Sequence, residues 1–389
     1  MLMLIKKGEV YTPSFIGKKD LLIAGGKIIA IEDQIDLNSL SIDVQVIDGE
    51  GFLVMPGFVD GHVHIIGGGG EGGFKTRTPE LMISQATIAG VTTMVGVIGT
   101  DGTSRTMPDL IAKAKGLTEE GITCYVHIGS YQVPIQPLTD SLQSDLLLID
   151  QIIGIGEVAI SDHRSSQPTV EEISRLAAYA RVGGMLSGKG GIVNVHVGDS
   201  KQTLSILNEV IDSTDIPITQ FLPTHINRNA YLFDAGIQYA KKGGYIDFTT
   251  STIPKFLGDG EVKCSQALKR ALLAGVSIEQ ITFTSDAQGS LPDFDESGNL
   301  IGMQIGQVSS LFQEVRDAVL TEGVELETAL KVITKNPASI LNIPGKGELA
   351  VGNDGDVVLA TKDLHIHSVI AKGQLMVEGG KPVVKGTFE

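Results

Sequence analysis

The apolar and polar positions of this chain fall into three stretches with different rhythms. Near the start, short β-branched runs are cut by glycine turns: Asp20–Ala24, Lys27–Ile31 and Val44–Ile47 alternate with Gly-Gly or Asp-Gly pairs. The end repeats the pattern in Asp356–Ala360, Ile366–Ala371 and Gln374–Val377, with Gly379-Gly380 as a turn. Two β-rich ends around a different middle predict one small β-sandwich domain built from both termini, residues 1–55 with 345–389. The middle, 56–344, alternates short apolar runs with longer stretches of helical spacing, as a parallel sheet requires. Its strand candidates are Phe58–His64, Thr92–Val97, Thr123–Gly129, Glu157–Ser161, Ile192–His196, Phe221–His225, Tyr245–Thr249 and Ile281–Asp286. Helical spacing lies between them, as in Pro79–Ala89, Val170–Val182, Thr203–Ile211, Ala230–Lys242 and Cys264–Ala274. Eight such units predict an α/β fold, a (β/α)8 TIM-type barrel of the usual size of roughly 250 residues.

Composition narrows the class. With 42% hydrophobic and 20% charged residues the chain has material for a large core, which argues against disorder. Lys and Arg number 30 against 46 Asp and Glu, a net charge of −16. Nucleic acid and anionic membrane surfaces attract a basic footprint, so neither is expected as a partner. No apolar run approaches the ~18 residues of a membrane span. The opening MLMLIKK is too short for an export signal and its charges follow the apolar run, so a cytoplasmic protein is expected. Cys124 and Cys264 stand far apart, which supports neither a disulfide framework nor a thiolate zinc site.

Candidate chemistry gathers where strand candidates end, the face on which barrels build active sites. His62 and His64 lie on the first, His196 on the fifth, His225 on the sixth and Asp286 on the eighth. Alternate residues of a strand share a face, so His62 and His64 project together. Neutral imidazoles suit zinc and similar divalent ions, and several at neighbouring strand ends point to a metal site. One apolar-flanked His alone is more often a hydrogen-bonded core residue, and Asp286 also fits turn chemistry. His127, His365 and His367 are read as structural.

In this order the residues resemble the amidohydrolase superfamily, and more closely its bacterial isoaspartyl dipeptidases. The matching blocks are GHVHIIGGGGEGGFKTRTPE, VGVIGTDG, GSYQVP, AISDHRS, HVGDSK, PTHINRN, TSDAQGS, GKGELAVGNDGDVVLA and VVKGTFE. They run collinearly from near Met55 to Glu389. The resemblance implies two divalent ions, most plausibly Zn2+. His62, His64 and Asp286 would bind one, and His196 and His225 the other. The family bridges its ions with a carboxylated lysine; Glu157 aligns there, so a glutamate bridge is expected instead. No lysine occurs between Gly116 and Gly188 to take its place.

The resemblance also implies a pocket. Glu71 would take the substrate α-amino group, Arg164 and Arg228 its carboxylates, and Tyr131 would stand by the scissile carbonyl. Ser290, Thr100 and Gly69 would complete it as hydrogen-bond donors. Solvated loop, packing and turn roles fit these residues equally from sequence. The implied activity is hydrolysis of β-aspartyl (isoaspartyl) dipeptides. A metal-bridging hydroxide would attack the side-chain-linked amide, with Asp286 as general base and acid. The substrate is then a small dipeptide, and the assembly a homo-oligomer, for which the family suggests an octamer. The competing readings are another amidohydrolase of hydantoinase, dihydroorotase or amino-sugar deacetylase type, and a non-catalytic homologue.

Overall fold

Val357 and Leu359 join one apolar cluster, while Val358 and Ala360, between and after them, join another. Successive residues of a strand point to opposite faces, so strand Val357–Ala360 is buried on both. The same alternation splits Val54 from Leu53 and Met55, and Ile370 from Val369 and Ala371. These three strands are the shared wall between two parts of the molecule. The computed structural model describes residues 2–37, 43–295, 297 and 299–389; Met1 and 38–42, within the expected terminal domain, lie outside them.

Strands from both termini form one sheet of nine. Its order is Lys381–Pro382, Gln374–Glu378, Ile366–Ala371, Val357–Ala360, Leu53–Pro56, Leu2–Tyr11, Phe15–Ala24 and Lys27–Glu32, with Gln45–Asp48 also paired to Leu2–Tyr11. One face covers a cluster with Met3, Ile5, Leu21, Ile23 and Ile28, and the other packs toward the middle of the chain.

The middle supplies eight strands in parallel. Phe58–Val63, Val91–Gly96, Thr123–Ile128, Ile152–Ile160, Ile192–Val197 and Phe221–Thr224 form one sheet in chain order. Ile246–Thr249 and Ile281–Thr284 pair in parallel beside it. The seventh strand touches the sixth and the eighth touches the first, and a parallel bridge from Val63 to Ala287 closes the ring. Val59, Ile153, Ile192 and Leu222 meet Ala338, Ile340, Leu341 and Ile343, which stop one end with apolar side chains. The polar strand ends therefore open at the other mouth. No helix among the described residues is long and apolar enough to cross a membrane.

Strand four begins at Ile152, five residues before the expected Glu157. Gly154 and Gly156 look like strand breakers in sequence. In the barrel they stand where neighbours come too close for a side chain: a Cβ on Gly154 would lie 2.5 Å from His127 Nδ1 and 2.6 Å from Ile192 O. Helix Val170–Ser187 runs five residues beyond the expected Val182, to a left-handed cap at Gly188.

A buried ion pair fastens the terminal sheet to the chain that leaves the barrel. Lys346 Nζ lies 2.5 Å from Asp356 Oδ2 and 2.7 Å from Asp354 Oδ2, with its side chain 3% exposed. Asp356 also accepts the Lys372 amide at 2.7 Å, and its backbone carbonyl accepts from Gly57. Removing one partner strands a buried charge. Lys346→Ala should therefore lower stability by about 3 kcal/mol, read as a fall in the denaturant midpoint. An unchanged midpoint would mean that the contact between sheet and barrel does not depend on this pair.

Candidate metal centre and substrate pocket

Glu157 is 1% exposed on strand four, and its two oxygens face different histidines. Oε1 lies 2.8 Å from His196 Nδ1 and 3.3 Å from His225 Nε2. Oε2 lies 3.4 Å from His62 Nε2 and 3.8 Å from His64 Nε2. Asp286 Oδ1 is 3.0 Å from His64 Nε2 and 3.6 Å from His62 Nε2. Two groups of donor atoms converge closely enough to hold a metal ion: His62, His64 and Asp286, and His62, Glu157 and His225, all buried. His225 and Asp286 have positive φ, 64° and 54°, a conformation uncommon outside glycine and typical of functional turns.

The donor set fits a divalent ion. His62 Nε2, Glu157 Oε2 and Asp286 Oδ1 are buried without a hydrogen-bond partner, although they lie close together. Buried polar atoms of this kind are costly unless something binds them. In His62 and His225 the other ring nitrogen is held from behind. His62 Nδ1 meets Asn194 Oδ1 at 3.0 Å, and His225 Nδ1 meets Thr249 Oγ1 at 2.6 Å. Such contacts fix ring orientation in metal sites.

The electrostatics show how much negative charge is concentrated here. Burial pushes the Glu157 carboxyl up, but the His62 charge and hydrogen bonds from His196 and His225 hold it well below the ordinary carboxylate range. Burial pulls His62 down, while the charges of Glu157, Asp286 and Asp247 lift it to about 10. A cation belongs at this position, whether a proton or a metal.

A cavity of about 430 Å³ opens above the group. Glu71 sits on its wall. Ser290 Oγ donates to both carboxylate oxygens at 3.1 Å, Thr100 Oγ1 donates at 3.3 Å, and Arg164 Nη1 lies at 3.5 Å. Tyr131 is buried, with its hydroxyl 2.8 Å from His196 Nδ1. Burial first, then the Glu157 charge, keeps its phenol pKa well above 10. Gly69 and Arg228 also line the cavity, and Arg228 Nη1 is 3.9 Å from Asp162 Oδ2.

The structure thus brings together all the residues expected from the sequence, with one difference in arrangement. His196 is engaged at both ring nitrogens, by Glu157 at 2.8 Å and by Asp162 Oδ2 at 2.9 Å, and belongs to neither converging group. Asp162 escaped the sequence reading. It binds Arg164 through two parallel contacts, Nε at 3.0 Å and Nη2 at 2.7 Å. Its only signal was its place in the SDHR block. Asn194 and Thr249 also escaped, because a polar residue on a strand carries no mark of what it will touch. His127 is buried on strand three, away from both groups, and burial lowers its pKa to about 3.

Known proteins agree with this architecture. The amidohydrolase family matches residues 53–376. The β-aspartyl dipeptidase of Fervidobacterium islandicum AW-1, solved in complex with the β-Asp-Leu dipeptide, is 44% identical, with 98% of each chain covered and a TM-score of 0.91. The dihydropyrimidinase of Brevibacillus agri NCHU1002 shares the fold at 19% identity, with 99% of this chain and 97% of that one covered and a TM-score of 0.67. Among curated proteins, the dihydroorotase of Lactobacillus gasseri is 24% identical over 92% of this chain and 89% of its own length. The chain belongs to the amidohydrolase family, within the group that holds the β-aspartyl dipeptidases.

Proposed function

We propose that this protein hydrolyses β-aspartyl dipeptides at a centre of two divalent metal ions. The observation that carries the reading is the Glu71–Arg164 pair on the wall of the metal-side cavity. An α-amino acid presents an ammonium and a carboxylate one carbon apart. A carboxylate beside a guanidinium complements that pair, and the β-linked aspartyl residue keeps both groups. Arg228, more exposed than Arg164, takes the carboxylate of the second residue. The similarity to an enzyme solved with β-Asp-Leu supports the same substrate class.

Zinc ions held among these ligands, with His62 serving only one of them, would lower the pKa of water toward neutrality and polarise the scissile carbonyl. The protein's own residues do the remaining work. Asp286, at the foot of the cavity, accepts a proton from water and passes it to the departing amine. Tyr131 stays protonated and donates to the oxygen that gains charge. Asp162 holds one edge of Arg164 so that the guanidinium keeps its angle to Glu71. Glu71 and the two arginines fix the substrate's charges and so set its carbonyl over the centre. The same reading keeps the terminal domain at 1–55 with 345–389, the barrel at 56–344, and a homo-oligomeric assembly.

The dihydroorotase likeness offers the main competitor. Dihydroorotate has no ammonium, so it would leave Glu71 facing an anion. With zinc added, β-Asp-Leu should turn over while α-Asp-Leu, dihydroorotate and hydantoin do not. Preferred turnover of either ring amide would overturn the assignment.

Glu157 serves in this reading as the bridging ligand, supported by the division of its two oxygens between His196 with His225 and His62 with His64. It carries the negative charge without needing carbon dioxide. Metal-free protein should reload zinc equally with and without bicarbonate, and Glu157→Gln should weaken metal binding by about tenfold or more. A bicarbonate requirement, or full metal affinity in the variant, would refute the bridge.

Arg228→Lys keeps the charge but loses the planar fork. It should lower kcat/KM for β-Asp-Leu at least about tenfold, on the order of 1.4 kcal/mol. Unchanged kinetics would place Arg228 outside substrate binding.

A further inference from the structure

Four consecutive glycines, Gly67–Gly70, precede Glu71. Such a run has little stiffness of its own, yet Glu71 must be held to a fraction of an ångström to meet a ligand. Something outside the loop has to hold it. Backbone geometry shows where the loop is gripped. Gly69 has φ +71°, and a Cβ there would lie 2.5 Å from Thr76 O. This conformation turns several loop carbonyls toward a single buried side chain.

That side chain is Arg105, 3% exposed at the end of the loop after barrel strand two, just before helix Met107–Glu120. Its Nη2 donates to Gly68 O at 2.6 Å, its Nε to Ile66 O at 3.3 Å and its Nη1 to Gly69 O at 3.5 Å. Nη1 also lies 3.5 Å from Asp101 Oδ2, next to Thr100. Converging carbonyl dipoles repel one another, and a cation at their focus reverses that. A planar guanidinium spreads its donors over three nitrogens in a fixed fork, one for each carbonyl here, whereas an ammonium carries its donors on a single nitrogen. Thr78 grips the other side of the loop. Its Oγ1 accepts from Gly68 N at 2.6 Å, and its own N–H donates to Gly68 O at 2.9 Å. The Thr78 hydroxyl in turn donates to Gln288 O, two residues before Ser290.

We propose that Arg105 is a positioning residue that shapes the glycine loop and thereby sets how tightly Glu71 grips the substrate's ammonium end. The inference rests on the role given to Glu71 above. Arg105 belongs to neither metal-binding group, and although it borders the cavity its donors are directed at the loop carbonyls and Asp101. Its effect therefore falls on binding more than on the chemical step.

The test is Arg105→Lys in the full-length, zinc-loaded protein. KM for β-Asp-Leu should rise about tenfold, kcat should stay within about threefold, and metal content should not change. Hydrogen exchange of the peptide spanning 66–72 should quicken while the barrel strands keep their protection. In Arg105→Ala, added guanidinium ion should restore part of the lost affinity. Unchanged KM and exchange in Arg105→Lys would overturn the proposal. So would an equal loss of kcat and metal, or a failure to fold, because either makes Arg105 a general support of the barrel. If the wild-type protein does not turn over β-Asp-Leu, the functional reading fails, and loop exchange alone still decides the role of Arg105.

Discussion

A carboxylate sealed inside a protein must find positive charge or hydrogen-bond donors, and Glu157 is the one on which this site depends. Four histidines from three different strands stand around it, with each oxygen facing two of them. That requires the side chain to enter the barrel at one particular angle. Strand four achieves it with an irregularity. Between Val193 and Val195 of strand five the pairing advances two residues, while strand four advances three, from Ile155 to Val158. The extra residue bulges, and bulges re-aim a side chain. Gly156, at φ +145°, sits in the bulge, where a Cβ would be 2.6 Å from Asn194 O. Asn194, opposite the bulge, also holds His62. One local defect in the ladder therefore orients both the central carboxylate and a histidine facing it.

Asp162 extends this order from the buried donor groups to the cavity wall. It receives His196 on one oxygen and shares that oxygen with Arg164, whose other contact reaches Glu71. Burial pushes its carboxyl up, but hydrogen bonds from His196 and Arg164 hold it far below the usual range. Moving any one of these groups disturbs the next, because in a low-dielectric mouth each is the main partner of its neighbour. The converging donor groups and the cavity wall form one network and not two adjacent sites.

The histidines and Asp286 were legible in the sequence because strand ends in a barrel have a known direction and imidazole on adjacent strands has few other uses. The eight strands were legible from their apolar runs. What the sequence hid are contacts made by approach in three dimensions. Asp162, Asn194 and Thr249 are ordinary polar residues until the barrel closes. Strand four looked short because Gly154 and Gly156 imitate turns, and only the neighbours' distance explains them. The residue blocks that resemble isoaspartyl dipeptidases located Glu71 and the arginines. They could not show that Glu71 and Arg164 stand side by side, or that His196 is engaged at both nitrogens.

The division between rigid and pliant parts explains how such a barrel can change substrates. The candidate metal ligands come from strand ends, whose positions follow from ladder geometry and the packed interior, and these are costly to move. The groups proposed to bind substrate come from loops. Glu71 follows four glycines, Arg164 and Arg228 follow strands four and six, and Ser290 begins a hairpin. Loops vary without disturbing the core, but a loop that selects charges must be as well fixed as a strand. Here the fixing comes from buried polar side chains placed behind the loops: Arg105 and Thr78 behind Glu71, and Asp162 behind Arg164. On the proposed function, specificity thus depends as much on these supporting contacts as on the residues that meet the ligand. Exchanging the visible residues alone, without their supports, would transfer the charges but not their positions.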